Sequence, residues 1–389
     1  MDDVHDMEKD SEQGEATLDR ERFAKAPTSF NDRAEENLLQ TDTKNVTRIN
    51  TDDPVEMSVR VSQVIWPSTH ELQPGSVILI PLENWQVALA SVNLIHHPND
   101  GPVLYTVKGD IHEAVLNEIN RLQPKGNEEG TQVIIMGDSN DGSKQKLEDA
   151  GWQVEQLPAK DAATFAADVD ALYAEVSGEW ADAVIIASME DEHQGFSLPA
   201  ANWIAHMPEP LLYVAEDGVP EATKSALEKR DGEVKMYVMG PETVISESVV
   251  EELSQYGDVI RIEGEDPTSL SVAFAQYKDE DNGFGWGITD AGHGVAFVST
   301  RTPELAIATA PFAHLGKHAP LILLEEGEMT EPVYDFLAQI RPVFENDPTT
   351  GPYNHAYLVG TRDNISFQTQ GIIDEKLEIT QMGEGHGGH

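Results

Sequence analysis

The sequence repeats one pattern three times, at intervals of about 100 to 120 residues, and this repeat limits the fold more than any single motif. Each copy contains an apolar run that ends in glycine: residues 133–137, 236–240 and 356–360. Upstream of it, each copy contains an apolar run that follows a proline: residues 102–105, 210–214 and 320–324. Because the order is the same in all three copies, the repeat predicts one structural unit used three times.

From residue 46 onward, short apolar runs alternate with longer amphipathic stretches, which is typical of βα units and a mainly parallel sheet. The predicted strands are 77–80, 103–105, 133–136 and 154–157 in the first copy, 183–187, 211–214, 234–239 and 259–262 in the second, and 295–298, 321–324, 356–359 and 377–379 in the third. The predicted fold class is therefore α/β, with three tandem Rossmann-like units.

One strand is left over at the start of the repeat region. Residues 46–50 resemble residues 259–263, so the chain begins with the strand type that closes each copy. Two arrangements fit this pattern. Either the strand opens the first unit and leaves residues 376–380 unmatched, or the two terminal strands lie close together and help to close the units into a ring.

The domain organisation follows from the repeat and from local composition. Residues 1–44 are acidic with scattered apolar positions, so they are interpreted as a flexible spacer, either a tether or a tail without a role. The predicted repeat units are 45–151, 152–257 and 258–380, and residues 381–389 form a tail of glycine and histidine.

The charge of the chain excludes several partners. Its 70 Asp and Glu against 25 Lys and Arg give a formal net charge of -45. A surface this acidic repels phosphate backbones and anionic lipid, so nucleic acid and bare membrane are not expected as partners. The composition suits high salt or divalent cations, which screen the self-repulsion of the folded state.

The location of the protein is inferred from what the sequence lacks. It has no cysteine and no apolar run of about 18 residues, so disulfides, thiolate chemistry and a membrane span in this chain are excluded. Its acidic start, with Asp2, Asp3 and Asp6, is unlike a signal peptide. The protein is either cytoplasmic or the mature form of an exported protein, and we favour the second interpretation.

Catalytic and cofactor motifs are also missing. The sequence has no phosphate loop, no G-x-G-x-x-G after a strand, no G-x-S-x-G and no H-E-x-x-H, so we expect no enzyme activity and no cofactor. His386 and His389 lie in the terminal tail, and His96 and His97 are adjacent in the chain, so no metal site is predicted. Ligands are expected beyond the carboxyl ends of the strands, at the turns after Gly137, Gly240 and Gly360.

Residues 45–380 resemble the cell wall-binding repeat 2 family, which occurs in surface proteins of Gram-positive bacteria and some archaea. The best match is residues 234–274, with Val238, Met239 and Gly240 at a strand end, and then the run Val259, Ile260, Arg261, Ile262, Glu263, Gly264. The resemblance implies three divergent repeats in a pseudo-threefold arrangement. It also implies noncovalent retention at the cell wall through an anionic polymer.

The resemblance sets the functional expectation. The chain is interpreted as an extracellular, non-catalytic protein of the cell wall or cell surface, acting as an attachment or interaction module. Its expected partners are a secondary wall polymer or an envelope protein, together with divalent cations. The alternative is a repurposed extracellular ligand-binding or assembly scaffold, lipid-anchored through a removed N-terminal leader.

Two groups of candidate site residues follow. The candidate polymer-binding cations are Arg48, Arg261, Arg301 and Arg362, which lie near strand or helix ends. Phe284 and Trp286 lie in a glycine-rich loop, where their rings could either stack on a sugar or pack on their own domain. The acidic segments 138–142 and 279–283 are similar to calcium loops but miss the EF-hand spacing.

Overall fold

The computed structural model of the protein describes residues 20–29, 31, 33–67, 69–230 and 234–382. The strands of this part of the chain are β1 (Val46–Ile49), β2 (Val77–Pro81), β3 (Val103–Thr106), β4 (Val133–Met136), β5 (Val154–Leu157), β6 (Ala183–Ser188), β7 (Leu211–Val214), β8 (Val234–Met239), β9 (Gly257–Ile262), β10 (Gly294–Ser299), β11 (Leu321–Leu324), β12 (Val343–Phe344), β13 (His355–Val359) and β14 (Thr380–Gln381).

The same residues form helices between the strands. The α-helices are α1 (Pro54–Ile65), α2 (Trp85–Ser91), α3 (Glu113–Leu122), α4 (Asp141–Asp149), α5 (Ala162–Ser177), α6 (Gln194–Ser197), α7 (Ala200–Ile204), α8 (Glu221–Leu227), α9 (Glu247–Leu253), α10 (Pro267–Gln276), α11 (Pro311–His314), α12 (Glu331–Gln339) and α13 (Phe367–Lys376). The short helical turns are Val92–Leu94, Ile95–Asn99, Asp191–His193, Glu228–Arg230, Pro303–Leu305, Ile307–Thr309 and Pro348–Thr350. None of the helices in these ranges is long and apolar enough to cross a bilayer.

Three four-stranded parallel sheets share one strand order. The orders are β3-β2-β4-β5, β7-β6-β8-β9 and β11-β10-β13-β1, and every pair within them is parallel. Two of the four strands in each sheet are the proline-led run and the glycine-terminated run of the repeat. The predicted α/β class with mainly parallel sheets is confirmed.

The first strand of the chain completes the last sheet. β1 pairs with β13 in the register Val46 to Ala356 and Ile49 to Val359, so it takes the place that β5 and β9 take in the other sheets. The ring closure of the second arrangement is therefore present, but β1 and β13 make it, since no strand forms at residues 377–379. β14 pairs with β12 in a separate two-stranded ribbon.

The predicted strand 377–379 is wrong. Helix α13 runs to Lys376, and the backbone N–H of Leu377 caps it by donating to the carbonyl oxygens of Ile373 and Glu375. Leu377 is buried in the core of the third unit, where the hydrophobic residue that suggested a strand instead closes a helix. The short strand β14 begins at Thr380.

Each sheet receives a helix from the neighbouring unit. The helix that follows the fourth strand of one sheet packs against the proline-led strand of the next: α1 on β3, α5 on β7 and α10 on β11. Asp53, Asp161 and Asp266 begin these helices as N-caps, and each carboxylate accepts the backbone N–H three residues later. One hydrophobic cluster runs through all three units, so they share a core.

The sheets group the chain differently from the predicted unit limits. The limit at residue 151 precedes β5, which is hydrogen-bonded to β4 of the first sheet. The limit at residue 257 falls at the start of β9, which is hydrogen-bonded to β8 of the second sheet. The first and second sheets therefore each extend one strand beyond the predicted end of their unit. The predicted unit limits describe the sequence repeat and remain a prediction.

The described part of the predicted spacer packs on the third unit. Phe23 is buried, and the ammonium of Lys376 lies over its ring at 4.3 Å. The backbone N–H of Arg48 donates to the carboxylate of Asp42 at 2.8 Å. At Phe23 and Asp42 the expectation of a flexible spacer is therefore corrected, because aromatic burial and a hydrogen bond hold these residues on the third unit. Residues 1–19 and most of the predicted tail lie outside the described residues.

Candidate functional site

The ligand-binding edge expected from the topology lies at the carboxyl ends of the strands. The strand order reverses between β2 and β4, between β6 and β8, and between β10 and β13, and such a reversal is where open parallel sheets place a ligand crevice. The strands beside these crevices end at Gly137, Gly240 and Gly360, whose φ angles are 84°, 111° and 120°. Such angles favour glycine, so the glycines of the repeat are explained by the turn they form.

Arg48 does not face this edge as a free cation. It is 5% exposed, and its guanidinium donates to the carbonyl oxygens of Gly360 at 2.9 Å and Ile365 at 2.8 Å, and to the side-chain oxygen of Gln370 at 2.7 Å. Burial, followed by the nearby charge of Arg362, lowers the pKa of Arg48 to about 10. Arg48 therefore ties the strand end to the helix that follows.

Arg261 has the same place in the second unit. Its guanidinium donates to the carbonyl oxygens of Gly240 at 2.9 Å and Ile245 at 3.0 Å. It also pairs with Glu247 at 2.7 Å, and its side chain is 13% exposed. Two of the four predicted polymer-binding cations are thus engaged with the backbone around a glycine turn, which leaves them little capacity for a ligand.

The other two predicted cations meet at the edge of the third sheet. Arg301 follows β10 and Arg362 follows β13, which are neighbouring strands at the crevice. Both side chains are exposed. Arg301 pairs with Glu326 at 2.8 Å, and such an exposed pair contributes little to stability and can exchange partners. The structure therefore brings Arg301 and Arg362 to one edge.

The first unit has a crevice in which two lysines lie beside three carboxylates, and neither lysine was predicted as a contact from the sequence. A cavity of about 370 Å³ lies at the carboxyl ends of β2 and β4. Its charged lining residues are Lys108, Lys160, Glu83, Asp138 and Asp161. Both lysines are exposed at this cavity. Lys108 follows the predicted strand 103–105 and Lys160 follows the predicted strand 154–157. Their positions just after strand ends are therefore visible in the sequence.

The corresponding edge of the second unit is acidic. Glu190 and Asp191 follow β6, Glu216 follows β7 and Glu242 follows β8. The carboxylate of Glu190 accepts the backbone N–H of Glu216 at 3.1 Å, so the carboxylates form part of the edge itself. The strand ends of the three units therefore share a topology, and carboxylates lie at all of them, accompanied by exposed cations in the first and third units.

The predicted aromatic ligand contact is part of the core. Phe284 is completely buried and stacks on Tyr237 with ring centroids 3.6 Å apart. Trp286 packs edge-on against Trp203 at 5.2 Å between centroids. The second of the two interpretations of this loop therefore holds for Phe284, because a buried ring has no face open to a sugar.

The acidic segment at residues 279–283 is also engaged internally. The carboxylate of Asp279 accepts the hydroxyl of Tyr237 at 2.6 Å and pairs with Lys235 at 3.0 Å. These two contacts lower the pKa of Asp279 to about 2. In the segment at 138–142, the side chain of Asn140 donates to Asp110 at 2.8 Å.

Three histidines, one from each unit, converge where the units meet. His96 lies in the turn after α2, His206 follows α7, and His314 ends α11. One imidazole nitrogen of each lies within 4.8 Å of the other two. Burial, and then the positive charges of the neighbouring histidines, lower the pKa of His206 to about 4, so this ring is neutral at neutral pH.

This cluster was not predicted from the sequence, where His96 stands beside His97 and the other two histidines are distant. A signal was present, since His96 lies between α2 and β3, His206 between α7 and β7, and His314 at the end of α11 before β11. Buried amides hold the same region together: Asn93 donates to the carbonyl of Ile204 at 3.1 Å, and Asn202 donates to that of Ala319 at 2.9 Å.

Comparison with known proteins yields a likeness of fold. No family model and no curated protein matches the sequence. Two similar solved structures are Cwp6 from Clostridium difficile, with a TM-score of 0.68, and Cwp8 from Clostridium difficile, with a TM-score of 0.67. Each is 16% identical, and the match covers 90% and 86% of this chain but 51% and 52% of theirs. The chain thus spans about half the length of these structures, and at this identity the likeness shows the fold alone.

Proposed function

We propose that this chain is a non-catalytic cell-surface protein that attaches noncovalently to an anionic polymer of the cell wall. The fold it shares with Cwp6 and Cwp8, together with its resemblance to the cell wall-binding repeat 2 family, supports this assignment. The proposed location is extracellular, at the cell wall.

The observation that carries the proposal is the position of four exposed cations at two crevices. Lys108 and Lys160 line the first crevice, and Arg301 and Arg362 follow the strands beside the third. In a chain of net charge -45, cations at the ligand-binding edge of a parallel sheet are suited to anionic groups of a polymer. Because Arg48 and Arg261 hold backbone carbonyls, Lys108 and Lys160 take their place beside Arg301 and Arg362 as the proposed contacts.

The overall charge shapes how such binding would depend on ions. A polyanion is repelled by the acidic surface as a whole, so salt that screens this repulsion favours its approach. Divalent cations can bridge carboxylates at the acidic edge of the second unit and anionic groups of the polymer. We therefore expect binding to rise with calcium and to persist at salt concentrations that weaken ordinary ion pairs.

The experiment is cosedimentation of the purified full chain with isolated cell walls, with and without their anionic secondary polymers, across salt and calcium concentrations. We expect binding that depends on the polymer. The double variants Lys108→Gln/Lys160→Gln and Arg301→Gln/Arg362→Gln should each weaken it several-fold.

A matched control removes two lysines of the same unit away from the crevice. Lys144 and Lys146 lie on α4, and the variant Lys144→Gln/Lys146→Gln should bind as the unchanged protein does. Equal losses in the control and the crevice variants would mean that net charge, and not the crevice, governs binding. Failure to bind walls under every condition would overturn the attachment function.

The second candidate is a repurposed extracellular ligand-binding or assembly scaffold, and the acidic edge of the second unit favours it. Glu190, Glu216 and Glu242 would repel an anionic polymer at one of three equivalent crevices. Binding of an envelope protein that requires these carboxylates, without any polymer dependence, would select this alternative.

A further inference from the structure

The three histidines at the meeting point of the units have lone pairs that can be assigned from their hydrogen bonds. The Nδ1 atom of His96 lies 2.8 Å from the backbone carbonyl oxygen of His206. A carbonyl only accepts, so Nδ1 carries the proton, and a neutral His96 has its lone pair on Nε2.

His314 is oriented by a carboxylate. Its Nε2 atom lies 2.7 Å from the carboxylate of Asp100, which places the proton on Nε2 and the lone pair on Nδ1. That Nδ1 atom is buried, and within the described residues it has no hydrogen-bond partner. A carboxylate that holds the outer nitrogen of a histidine is the arrangement that supports metal-ligating histidines in many proteins.

His206 supplies the third ring. Its Nδ1 atom is also buried without a hydrogen-bond partner in the described part of the chain. An unpaired buried polar atom is costly, and two of them in rings within 4.8 Å of a third imidazole need a common explanation. A shared ligand that accepts electron pairs from all three rings would satisfy them together.

We propose that His96, His206 and His314 form a binding site for one borderline divalent transition-metal ion, with Zn²⁺ as the best fit, at the junction of the three units. Neutral imidazoles suit Zn²⁺, and Ca²⁺ and Mg²⁺ prefer oxygen ligands. Tetrahedral Zn²⁺ sets its nitrogen ligands about 3.3 Å apart, so nitrogens that lie within 4.8 Å of one another need to approach by at most about 1.5 Å. His96 stacks on both His206 and His314, so its ring also needs to turn for the three lone pairs to meet at one ion.

The metal would join units that are otherwise connected through packing and hydrogen bonds. His96 is the exposed member of the three. The histidines precede the proline-led strands β3, β7 and β11, at the opposite ends of the strands from the crevices. Zn²⁺ binding at this site can therefore be tested separately from the proposed polymer binding, and the failure of one would not count against the other.

The test is calorimetric titration of the full chain with Zn²⁺, combined with thermal unfolding. His386 and His389 are replaced by alanine in the background protein, so that the terminal tail contributes no ligands. We expect this background to bind one Zn²⁺ per chain and to show a higher thermal midpoint with the metal. His314→Ala and His96→Ala should abolish both effects.

Two further variants separate ligation from general damage. Asp100→Asn keeps all three ligands but loses the orienting charge, and should weaken Zn²⁺ binding by about 10-fold to 100-fold. His70→Ala removes an exposed histidine elsewhere in the first unit and should change nothing. Circular dichroism checks that each variant is folded, and the exposed position of His96 makes His96→Ala the least disruptive of them. Unchanged Zn²⁺ binding in His96→Ala, or no binding in the background protein, would overturn the proposal.

Discussion

The side-chain amide of Gln156 donates a 3.0 Å hydrogen bond to the carbonyl oxygen of Gly137. In the other two units a guanidinium fills this place, from Arg48 to Gly360 and from Arg261 to Gly240. In all three, the next-to-last residue of the closing strand supplies a donor to the glycine that follows the neighbouring strand. The arginine shared by the similar runs 46–50 and 259–263 thus has a structural explanation, and Gln156 provides part of the same bonding in the first unit.

Loss of this donor should be most costly in the third unit. Arg48→Ala leaves the buried carbonyls of Gly360 and Ile365 unsatisfied, and we expect the free energy of unfolding to fall by about 2 to 4 kcal/mol. Gln156→Ala, which removes one partly exposed neutral bond, should cost about 1 kcal/mol. Equilibrium unfolding in urea at fixed high salt measures both.

The control is Arg60→Ala, which breaks an exposed pair with Glu56 and should cost less than about 1 kcal/mol. If Arg48→Ala and Arg60→Ala were equally mild, Arg48 would be a surface charge, and its assignment as a tie between strand and helix would fail.

The three aspartate N-caps should contribute similarly to stability. Asp53→Ala, Asp161→Ala and Asp266→Ala each remove an acceptor for the third helical N–H, and each should cost about 1 kcal/mol. The matching asparagine variants lose the same charge but keep the acceptor oxygen, so they should cost clearly less. Thermal unfolding of the six variants compares the pairs, and equal losses within a pair would argue against a capping role.

Phe284 should act on stability and leave binding unchanged. Phe284→Ala removes a buried ring from the stack on Tyr237, and we expect a loss of about 3 to 5 kcal/mol. Tyr353→Ala, at an aromatic side chain that is 57% exposed, serves as the control and should be nearly neutral. If folded Phe284→Ala lost wall binding with its stability intact, the ligand-contact interpretation of this loop would return.

Acidification should weaken the junction between β1 and β13. His355 lies 3.0 Å from the hydroxyl of Thr47. Burial, and then the positive charge of Lys317, lowers the pKa of His355 to about 4, although the negative charge of Asp42 acts in the opposite direction. The unfolded chain therefore takes up the proton first, near pH 6.5. The stabilisation is complete above that pH and is lost as pH falls towards 4, up to about 3 kcal/mol.

The comparison variant for this prediction is His355→Gln, which can still hydrogen-bond to Thr47 and does not titrate. Unfolding free energies of both proteins between pH 7 and pH 4 isolate the contribution of His355 from that of other groups, including His206. Parallel curves for the two proteins would show that His355 does not contribute to the pH dependence.

Much of the fold follows from the sequence because its signals are local. Buried strands such as 133–136 and 211–214 appear as short apolar runs, and the turns after them require glycine. The ring closure could not be decided, because residues 46–49 would fit beside either neighbouring sheet by pattern alone. The wrong strand at 377–379 has the same origin, because the sequence does not show whether a buried residue such as Leu377 packs from a strand or from a helix end.

The candidate site was harder to predict, because contacts distant in sequence decide it. In the sequence Arg48 resembles a cation that is free to bind a ligand, but in the structure its guanidinium donates to the carbonyl oxygen of Gly360. The histidine cluster needs three residues that lie more than 100 positions apart, and each alone resembles an ordinary polar residue at a helix end. Lys108 follows β3 and Lys160 follows β5, and only the folded structure shows that both lysines line one crevice.

Because β1 pairs with β13, the third sheet cannot be completed until most of the chain has been synthesised. The backbone N–H of Asn45, just before β1, donates to the carboxylate of Asp374, 329 residues later. A ribosome therefore releases β1 long before its partner exists, and a product truncated before residue 355 keeps an unpaired strand and an open sheet edge. Open edges promote aggregation, so incomplete chains would differ from finished ones in a feature that quality-control proteases and chaperones can detect.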